Sequence, residues 1–274
     1  MFATRFAPSP TGHLHRGHAF SALTAFRAAQ AARGRFVLRI EDIDTTRCRP
    51  EYEAGIYEDL AWLGLEWEHP VRRQSEHLAD YEAALDRLRA KGLLYRCFRT
   101  RKQLAEAMLS APHGPAEAFR GGPLHPNEEE RMLEEDRPFA WRLSLEAAAD
   151  AVGGFQRLSF YDNGRKVSAD PAPAGDVVLA RKDVGVAYHL AVVVDDALQG
   201  VDHVIRGEDL AQATHVQRLL QALLGLPTPT YRHHRLLAGP DGKRFAKRDK
   251  AETLRELRAR GVTPEALRAE LGFG

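Results

Sequence analysis

Cysteine is nearly absent from this chain. Cys48 and Cys97 are the only two in 274 residues, too few for a disulfide framework, and a reducing compartment fits them. No run of 18 or more apolar residues occurs, so no membrane span and no membrane partner are expected. The N-terminus enters a strand-like segment almost at once, without a signal-peptide pattern, and a cytoplasmic location is the expectation. Neither charge sign dominates: 39 Lys and Arg face 38 Asp and Glu, for a net charge of +1. No global basic field is available to hold nucleic acid, so any RNA contact must come from local patches. Two phosphate-binding signatures are missing as well. No G-x-G-x-x-G follows the first strand and no G-x-x-x-x-G-K-[ST] occurs anywhere, which argues against a dehydrogenase and against a P-loop enzyme.

What is present is ordinary for a globular protein, with 44% hydrophobic and 28% charged residues. The length suits about two domains or one large domain with an insertion, and it can bury a core without disulfides or metals. Residues 4–7 read as a strand running into a Pro/Ser/Gly loop at 8–12, followed by a helix over 17–32 and a strand over 35–40. That strand–loop–helix–strand unit opens an α/β parallel sheet. Helical patterns follow at 51–63 and 78–91. Between 97 and 163 the chain carries Pro112, Pro115, Pro123, Pro126 and Pro138 with runs of charge, the mark of an inserted subdomain. Strand-like segments return at 176–180, at 187–194 (a near-continuous apolar run, as a buried parallel strand should be) and at 204–206. A helix is expected over 210–224. The tail is helical, with Thr263 placed to cap a last helix and Pro264 at its first position. The expected divisions are 1–96 and 166–240 for two halves of a Rossmann-like catalytic domain, 97–165 for an inserted α+β subdomain, and 241–274 for a cationic loop and a short helical tail.

Two clusters carry chemistry. The first runs from Pro8 through Gly12 and His15-Arg16-Gly17-His18, between the first strand and the first helix. Ligands of open α/β sheets bind beyond the carboxyl ends of the strands. Gly12 and Gly17 let backbone approach a nucleotide, the helix start supplies amide donors, and His15 and His18, three apart, lie on one side of it. The second is Gly242-Lys243-Arg244-Phe245-Ala246-Lys247-Arg248-Asp249, a cationic loop from which Lys247 could reach a triphosphate.

The first cluster resembles the HIGH signature of class I aminoacyl-tRNA synthetases, and Arg244-Phe245-Ala246-Lys247-Arg248 resembles their KMSKS signature. Arg5-Phe6-Ala7-Pro8-Ser9-Pro10-Thr11-Gly12, Arg39-Ile40-Glu41-Asp42-Ile43-Asp44 and Val204-Ile205-Arg206-Gly207-Glu208-Asp209 are similar to the glutamyl and glutaminyl branch. The likeness covers most of the chain and is weakest in the middle. Only about 26 residues follow Arg248, so no anticodon-binding domain is expected. The stretch Val186-Ala187-Tyr188-His189-Leu190-Ala191-Val192-Val193-Val194-Asp195-Asp196 is similar to the branch's stand-alone paralogues, which attach glutamate to the queuosine base in the anticodon loop of tRNA(Asp).

The resemblance implies ATP-dependent activation of L-glutamate as its adenylate, with Mg²⁺ on the phosphates, and transfer to queuosine-bearing tRNA(Asp) by a monomer. It assigns catalysis to His15, His18 and Lys247, and ATP binding to Gly12, His15, Gly17, His18, Arg244 and Lys247. It assigns glutamate binding to Arg5, Phe6, Ala7, Pro8, Ser9, Glu41, Tyr188 and Arg206. The residue chemistry agrees: Arg5 and Arg206 can each grip a carboxylate as a bidentate fork, Glu41 can accept from an ammonium, and Tyr188 offers a hydroxyl and a flat wall. A structural ion pair at either arginine and a core role for Tyr188 stay open. So do a truncated glutamyl-tRNA synthetase charging 3′ ends and a non-catalytic nucleotide or RNA binder. The basic run Arg96, Arg99, Arg101, Lys102 and the stretch Arg232-His233-His234-Arg235 are candidate tRNA phosphate contacts. Arg16, unusual within its motif, is available for phosphate or RNA. Many members of the family carry zinc on a Cys-x-Cys pair and a later Tyr and Cys. Here Arg99 stands where the second cysteine would be and no later cysteine follows, so no zinc is expected.

Overall fold

The computed structural model describes residues 2–100, 103, 119–181, 185–237 and 252–274. Strand β1 (Ala3–Phe6) is buried along its whole length, as a strand covered on both faces must be. It pairs in parallel with β2 (Arg35–Ile40), and β2 pairs in parallel with β3 (Glu68–Arg73). Helix α1 (Arg16–Ala31) makes the β1-to-β2 crossover. Its buried stripe of Ala19, Ala22, Leu23, Ala25 and Ala29 is mostly alanine, which lets the helix lie close on the sheet. At the return into β2 a Cβ on Gly34 would stand 2.3 Å from the Phe2 carbonyl oxygen, so only glycine fits that approach. Helices α2 (Pro50–Trp62) and α3 (Leu78–Ala90) follow.

A second parallel pair, β10 (His203–Gly207) with β11 (Thr230–His234), is connected by α7 (Ala211–Leu224). The hairpin β6 (Ser159–Asp162) and β7 (Arg165–Ser168) extends it beyond β11. β10 lies beside β1: the Asp202 N–H donates to the Ala3 carbonyl (3.1 Å), and the Ala3 N–H donates to Asp202 Oδ1 (2.7 Å). The spatial order is therefore β3, β2, β1, β10, β11. Chain direction across the sheet reverses between β1 and β10, and such a switch point opens a crevice at the carboxyl ends of its strands.

A separate antiparallel sheet joins β4 (Leu94–Cys97), β5 (Ala140–Leu143), β8 (Val178–Arg181) and β9 (Gly185–Val186). Helix α4 (Pro126–Glu134) and helix α5 (Leu145–Val152) lie in the same stretch of chain. Buried Asp176 binds it together, accepting from the Tyr95 hydroxyl (2.7 Å) and from the N–H groups of Gly121 (2.8 Å) and Leu145 (2.9 Å).

The strand expected over 187–194 is instead helix α6 (Tyr188–Leu198). Every residue from Leu190 to Asp196 is buried. A segment covered on all sides has no polar face to display a period, so an unbroken apolar run looks alike as helix or strand. Packing overrides the β preference of its valines.

The C-terminal helices α8 (Leu254–Ala259) and α9 (Pro264–Glu270) complete the core around α1 and α2 with Leu254, Leu257 and Leu267. Thr263 caps α9, with Pro264 at its first position. Here α2 offers an awkward partner. Asp59, 1% exposed, lies 3.2 Å from Arg258 Nη2. Burial pushes its pKa up to about 6, against the pull of Arg258. A carboxyl whose folded pKa exceeds its unfolded value favours the folded state only while protonated, so this stabilisation is lost as pH rises from about 4 to 6. We expect Asp59→Asn to melt higher than the wild type at pH 8, with the gain shrinking toward pH 5, while Arg258 keeps Glu58 at 3.2 Å. Thermal unfolding at both pH values checks this, and a pH-independent difference would refute it.

Candidate active site

The carboxyl ends of β1 and β10 open into one cleft of about 730 Å³. Arg5 and Phe6 end β1, Ala7, Pro8 and Ser9 continue its wall, and Glu41 enters from the end of β2. Arg206 and Gly207 end β10, and Tyr188 stands at the first position of α6. His15, Gly17 and His18 present the start of α1. The structure thus brings eleven of the expected residues to one cleft; Gly12 sits in the preceding bend and is not among its walls. Arg244 and Lys247 lie outside the described residues. The described residues on either side of them border the site. Leu236 and Leu237 line the cleft. On the other side Thr253 bridges to His15, and the Leu254 N–H donates to the Leu14 carbonyl (2.8 Å).

The histidines fix each other. His15 caps α1, its Nδ1 accepting from the Gly17 N–H (3.1 Å), while His18 Nδ1 accepts from the His15 N–H (3.2 Å). An accepting Nδ1 carries no proton, so each neutral ring holds its proton on Nε2 as a donor. The rings lie 3.9 Å apart, beside the positive end of the helix dipole. Both features suit phosphate oxygens. A Cβ on Gly17 would stand 2.9 Å from His15 Cε1, so glycine here preserves the ring's position.

Beneath the opposite wall lies a buried charge network. Arg5 Nε donates to Asp196 Oδ1 (3.2 Å). Fully buried Arg39 donates from Nη1 to Asp196 Oδ1 (2.8 Å) and from Nη2 to Glu41 Oε1 (3.1 Å). Asp195 accepts from Arg72 Nε (2.7 Å), Gln74 Nε2 (2.8 Å) and the Tyr81 hydroxyl (2.9 Å). Burial pulls the Arg39 pKa down, but Asp196, Glu41 and Asp195 outweigh it and hold the guanidinium firmly charged. Burial raises the Asp196 pKa too, yet Arg5 and Arg39 bring it below the usual carboxylate range. Glu41 goes the other way: burial lifts its pKa above the ordinary value despite Arg39 and Arg5. A cation arriving in the cleft would relieve that penalty.

Arg206 is the exception in charge balance. It is 5% exposed, and among the described residues no carboxylate lies within ion-pair distance of it. Its partners are neutral: Nη2 donates to Thr214 Oγ1 (2.8 Å), Gln217 Oε1 (2.8 Å) and the Leu210 carbonyl (3.2 Å), and Nη1 to the Tyr188 hydroxyl (3.3 Å). Its Nε donates to His233 Nε2 (3.3 Å). With Nη2 saturated, Arg206 offers the cleft Nη1 and not the two-pronged edge expected from the sequence. Arg5, bound within the described residues only through Nε, keeps both terminal nitrogens for a fork. A buried cation with neutral partners is costly unless an anion arrives. Tyr188 lines this wall and also packs against the apolar core; burial raises its hydroxyl pKa.

Three expectations change. Arg16 does not point to phosphate: it donates to Glu252 (3.0 Å) and Glu270 (2.8 Å) and ties α1 to the C-terminal segment. His233 is not a surface contact for tRNA, since its side chain is 4% exposed. Arg96 pairs with Glu129 and stacks over Trp141 (4.6 Å), so it too is committed within the protein. Arg101 and Lys102 lie outside the described residues. Arg99, where a zinc cysteine would stand, lies 5.8 Å over the Phe119 ring. Among the described residues no three His, Cys, Asp or Glu side chains converge as a metal site. Sequence reasoning missed Phe20, Ser21, Asp209 and His234 as cleft walls; His234 Nε2 lies 3.1 Å from Ser21 Oγ. Phe20 and Ser21 follow directly on the histidine motif, Asp209 closes the motif that carries Arg206, and His234 lies in the basic stretch read as a tRNA contact.

Comparison with known proteins agrees with this geometry. Residues 1–273 match the family model described as tRNA synthetases class I (E and Q), catalytic domain. The chain is 45% identical to a glutamyl-Q tRNA(Asp) synthetase of Rhodobacter capsulatus, covering 98% of this chain and 99% of that protein. It is 39% identical to glutamate–tRNA ligase 1 of Paracoccus denitrificans, covering 97% of this chain and 59% of that one. Among solved structures, a glutamate tRNA ligase from Elizabethkingia meningosepticum in complex with its amino acid superposes with a TM-score of 0.76 at 30% identity, over 91% of this chain and 52% of that one. The chain thus spans about half the length of that ligase.

Proposed function

This chain belongs to the catalytic-domain family of class I tRNA synthetases for glutamate and glutamine, and from that premise we propose that it activates L-glutamate with ATP and transfers it to the queuosine base of the tRNA(Asp) anticodon loop. The observation that carries the amino-acid part is Arg206, a buried guanidinium without a carboxylate partner among the described residues, in one cleft with Arg5 and Glu41. Glutamate supplies two carboxylates and one ammonium, which is what two arginines and a buried glutamate can take up. The RNA target rests on the relative named glutamyl-Q tRNA(Asp) synthetase, which this chain matches nearly end to end.

In the proposed reaction the glutamate α-carboxylate attacks the ATP α-phosphorus in line, and pyrophosphate leaves with the bridging oxygen. His15 and His18 donate Nε2–H to phosphate oxygens as charge moves toward pyrophosphate, with Lys247 proposed to do the same and Mg²⁺ accompanying the triphosphate. Placement and electrostatics supply most of the acceleration. A hydroxyl of the queuosine ring then attacks the anhydride carbonyl and AMP leaves. A splayed, single-stranded anticodon loop is the form in which a base can enter such a cleft.

The test is transfer of labelled glutamate, with ATP, to tRNA from queuosine-containing and queuosine-deficient cells. Label confined to the first pool, and prevented when that tRNA is oxidised with periodate before the reaction, is the expected result. Equal label on both pools would overturn it in favour of 3′-end charging. Gly17→Ala offers a sharper probe of the histidines. The added methyl displaces His15, and a misplacement near 1 Å can cost about a hundredfold in rate. We expect kcat for adenylate formation to fall by about that factor while the glutamate KM holds. An unchanged kcat would remove His15 from the phosphate site.

A further inference from the structure

Arg206 is held from behind, and the holder is itself held. His233, on β11 beside β10, has its Nε2 3.3 Å from Arg206 Nε and 3.2 Å from Thr214 Oγ1. Its Nδ1 lies 3.0 Å from Asp162 Oδ2, and its backbone N–H donates to Asp162 Oδ1 (3.1 Å). Asp162 ends β6, the strand that pairs with β11. A carboxylate only accepts, so Nδ1 carries the ring proton. Guanidinium Nε only donates, so Nε2 must stay bare. Both neighbours demand the same tautomer. No sequence motif singled out Asp162, and nothing in the proposed chemistry uses His233.

The geometry points to Asp162 and His233 as positioning residues of the glutamate site: Asp162 holds His233 with Nε2 unprotonated, and that nitrogen fixes Arg206 so that Nη1 is left to the cleft. This rests on the proposed reading of the cleft as a glutamate site. Around the imidazole stand Asp162 from β6, Arg206 from β10, Thr214 from α7, and Tyr231 and His234 on its own strand, the Tyr231 ring parallel to it at 6.0 Å. Burial lowers the His233 pKa; Arg206 and His234 lower it further, and the Asp162 carboxylate opposes them. The ring is therefore neutral at physiological pH. Protonation at Nε2 would remove the acceptor and set a like charge against Arg206.

Asp162→Asn is the discriminating variant because it is isosteric. The His233 backbone N–H must face the amide oxygen, which turns the amide NH₂ toward Nδ1. The ring then moves its proton to Nε2, opposite Arg206 Nε. The experiment is calorimetric titration of the full chain with L-glutamate and, separately, with ATP, with melting temperature as a control for folding. We expect Asp162→Asn to weaken L-glutamate about tenfold, the scale of one hydrogen bond to a charged group, with ATP binding unchanged. His233→Gln, whose amide oxygen can accept from Arg206 Nε, should stay within about threefold of the wild type and lose part of the weakening that protonation of His233 should cause in the wild type at acid pH. Unaltered glutamate binding in a folded Asp162→Asn protein, or an equal loss for ATP, overturns the relay alone. A wild-type chain that binds ATP but not glutamate overturns the reading on which it rests, and the relay with it.

Discussion

Arg206→Lys raises the glutamate KM by about a hundredfold and leaves the ATP KM within a factor of about three. Lysine keeps the charge, so a loss of that size has to come from geometry. The guanidinium meets five protein acceptors at once, with Nε on His233, Nη1 on Tyr188 and Nη2 on Thr214, Gln217 and Leu210. An ammonium has three donors on one nitrogen and cannot span that set. It would be drawn to the Thr214 and Gln217 oxygens, away from the cleft, leaving His233 Nε2 only the Thr214 hydroxyl at 3.2 Å. Truncating one side of a buried, hydrogen-bonded charge pair costs about 2–5 kcal/mol, and about 3 kcal/mol corresponds to roughly 150-fold. Steady-state pyrophosphate exchange, with glutamate and ATP varied in turn, gives both constants. A parallel rise in the ATP KM would mean that the β10 end of the cleft had collapsed, and an unchanged glutamate KM would remove Arg206 from the substrate site.

Much of this wall is legible in the sequence. Arg5, Glu41 and Arg206 lie in short motifs at strand ends, and strand ends at a switch point are where an α/β sheet keeps its ligands. The histidines are legible for the same reason, since a helix start after a glycine-containing loop is a phosphate site by construction. What holds these residues is not. Asp162 lies 71 residues before the His233 it holds, and Thr214, though only eight residues beyond Arg206, sits on a different element; no local pattern marks a residue that works through tertiary contact. His233 reads as surface because Arg232 and Arg235 flank it. Strand alternation carries the better signal: in β11 Tyr231 is buried, Arg232 exposed and the His233 side chain nearly covered. Helix α6 reads as a strand because complete burial erases amphipathic period. Its ending holds a clue, for two adjacent carboxylates closing an apolar run must be paired once buried, and arginine is the residue that pairs them.

That pairing sets the second large effect, which is on the fold. Arg39→Met should lower stability by about 3–5 kcal/mol, the cost of stripping one partner from a buried ion network. Native domains have only about 5–15 kcal/mol to lose, and at about 2–4 °C per kcal/mol for a chain of this size the melting temperature should fall by roughly 10 °C. Methionine fills most of the volume, so the effect is electrostatic. Asp196 would keep Arg5 and Asp195 would keep Arg72, but Glu41 would lose the one hydrogen-bonded cation it has among the described residues. Glu41 is already pushed toward its neutral form by burial. Without Arg39 that shift grows, so the variant should regain stability as the pH is lowered toward 5, where Glu41 takes up a proton more readily folded than unfolded. Adding Glu41→Gln to Arg39→Met should recover part of the loss at pH 8, because an amide does not demand a cation, and the coupling in that double-mutant cycle measures the Arg39–Glu41 interaction. If Arg39→Met melts within about 2 °C of the wild type, or the second substitution adds its full independent cost, the network is not what holds β1, β2 and α6 together beneath the cleft.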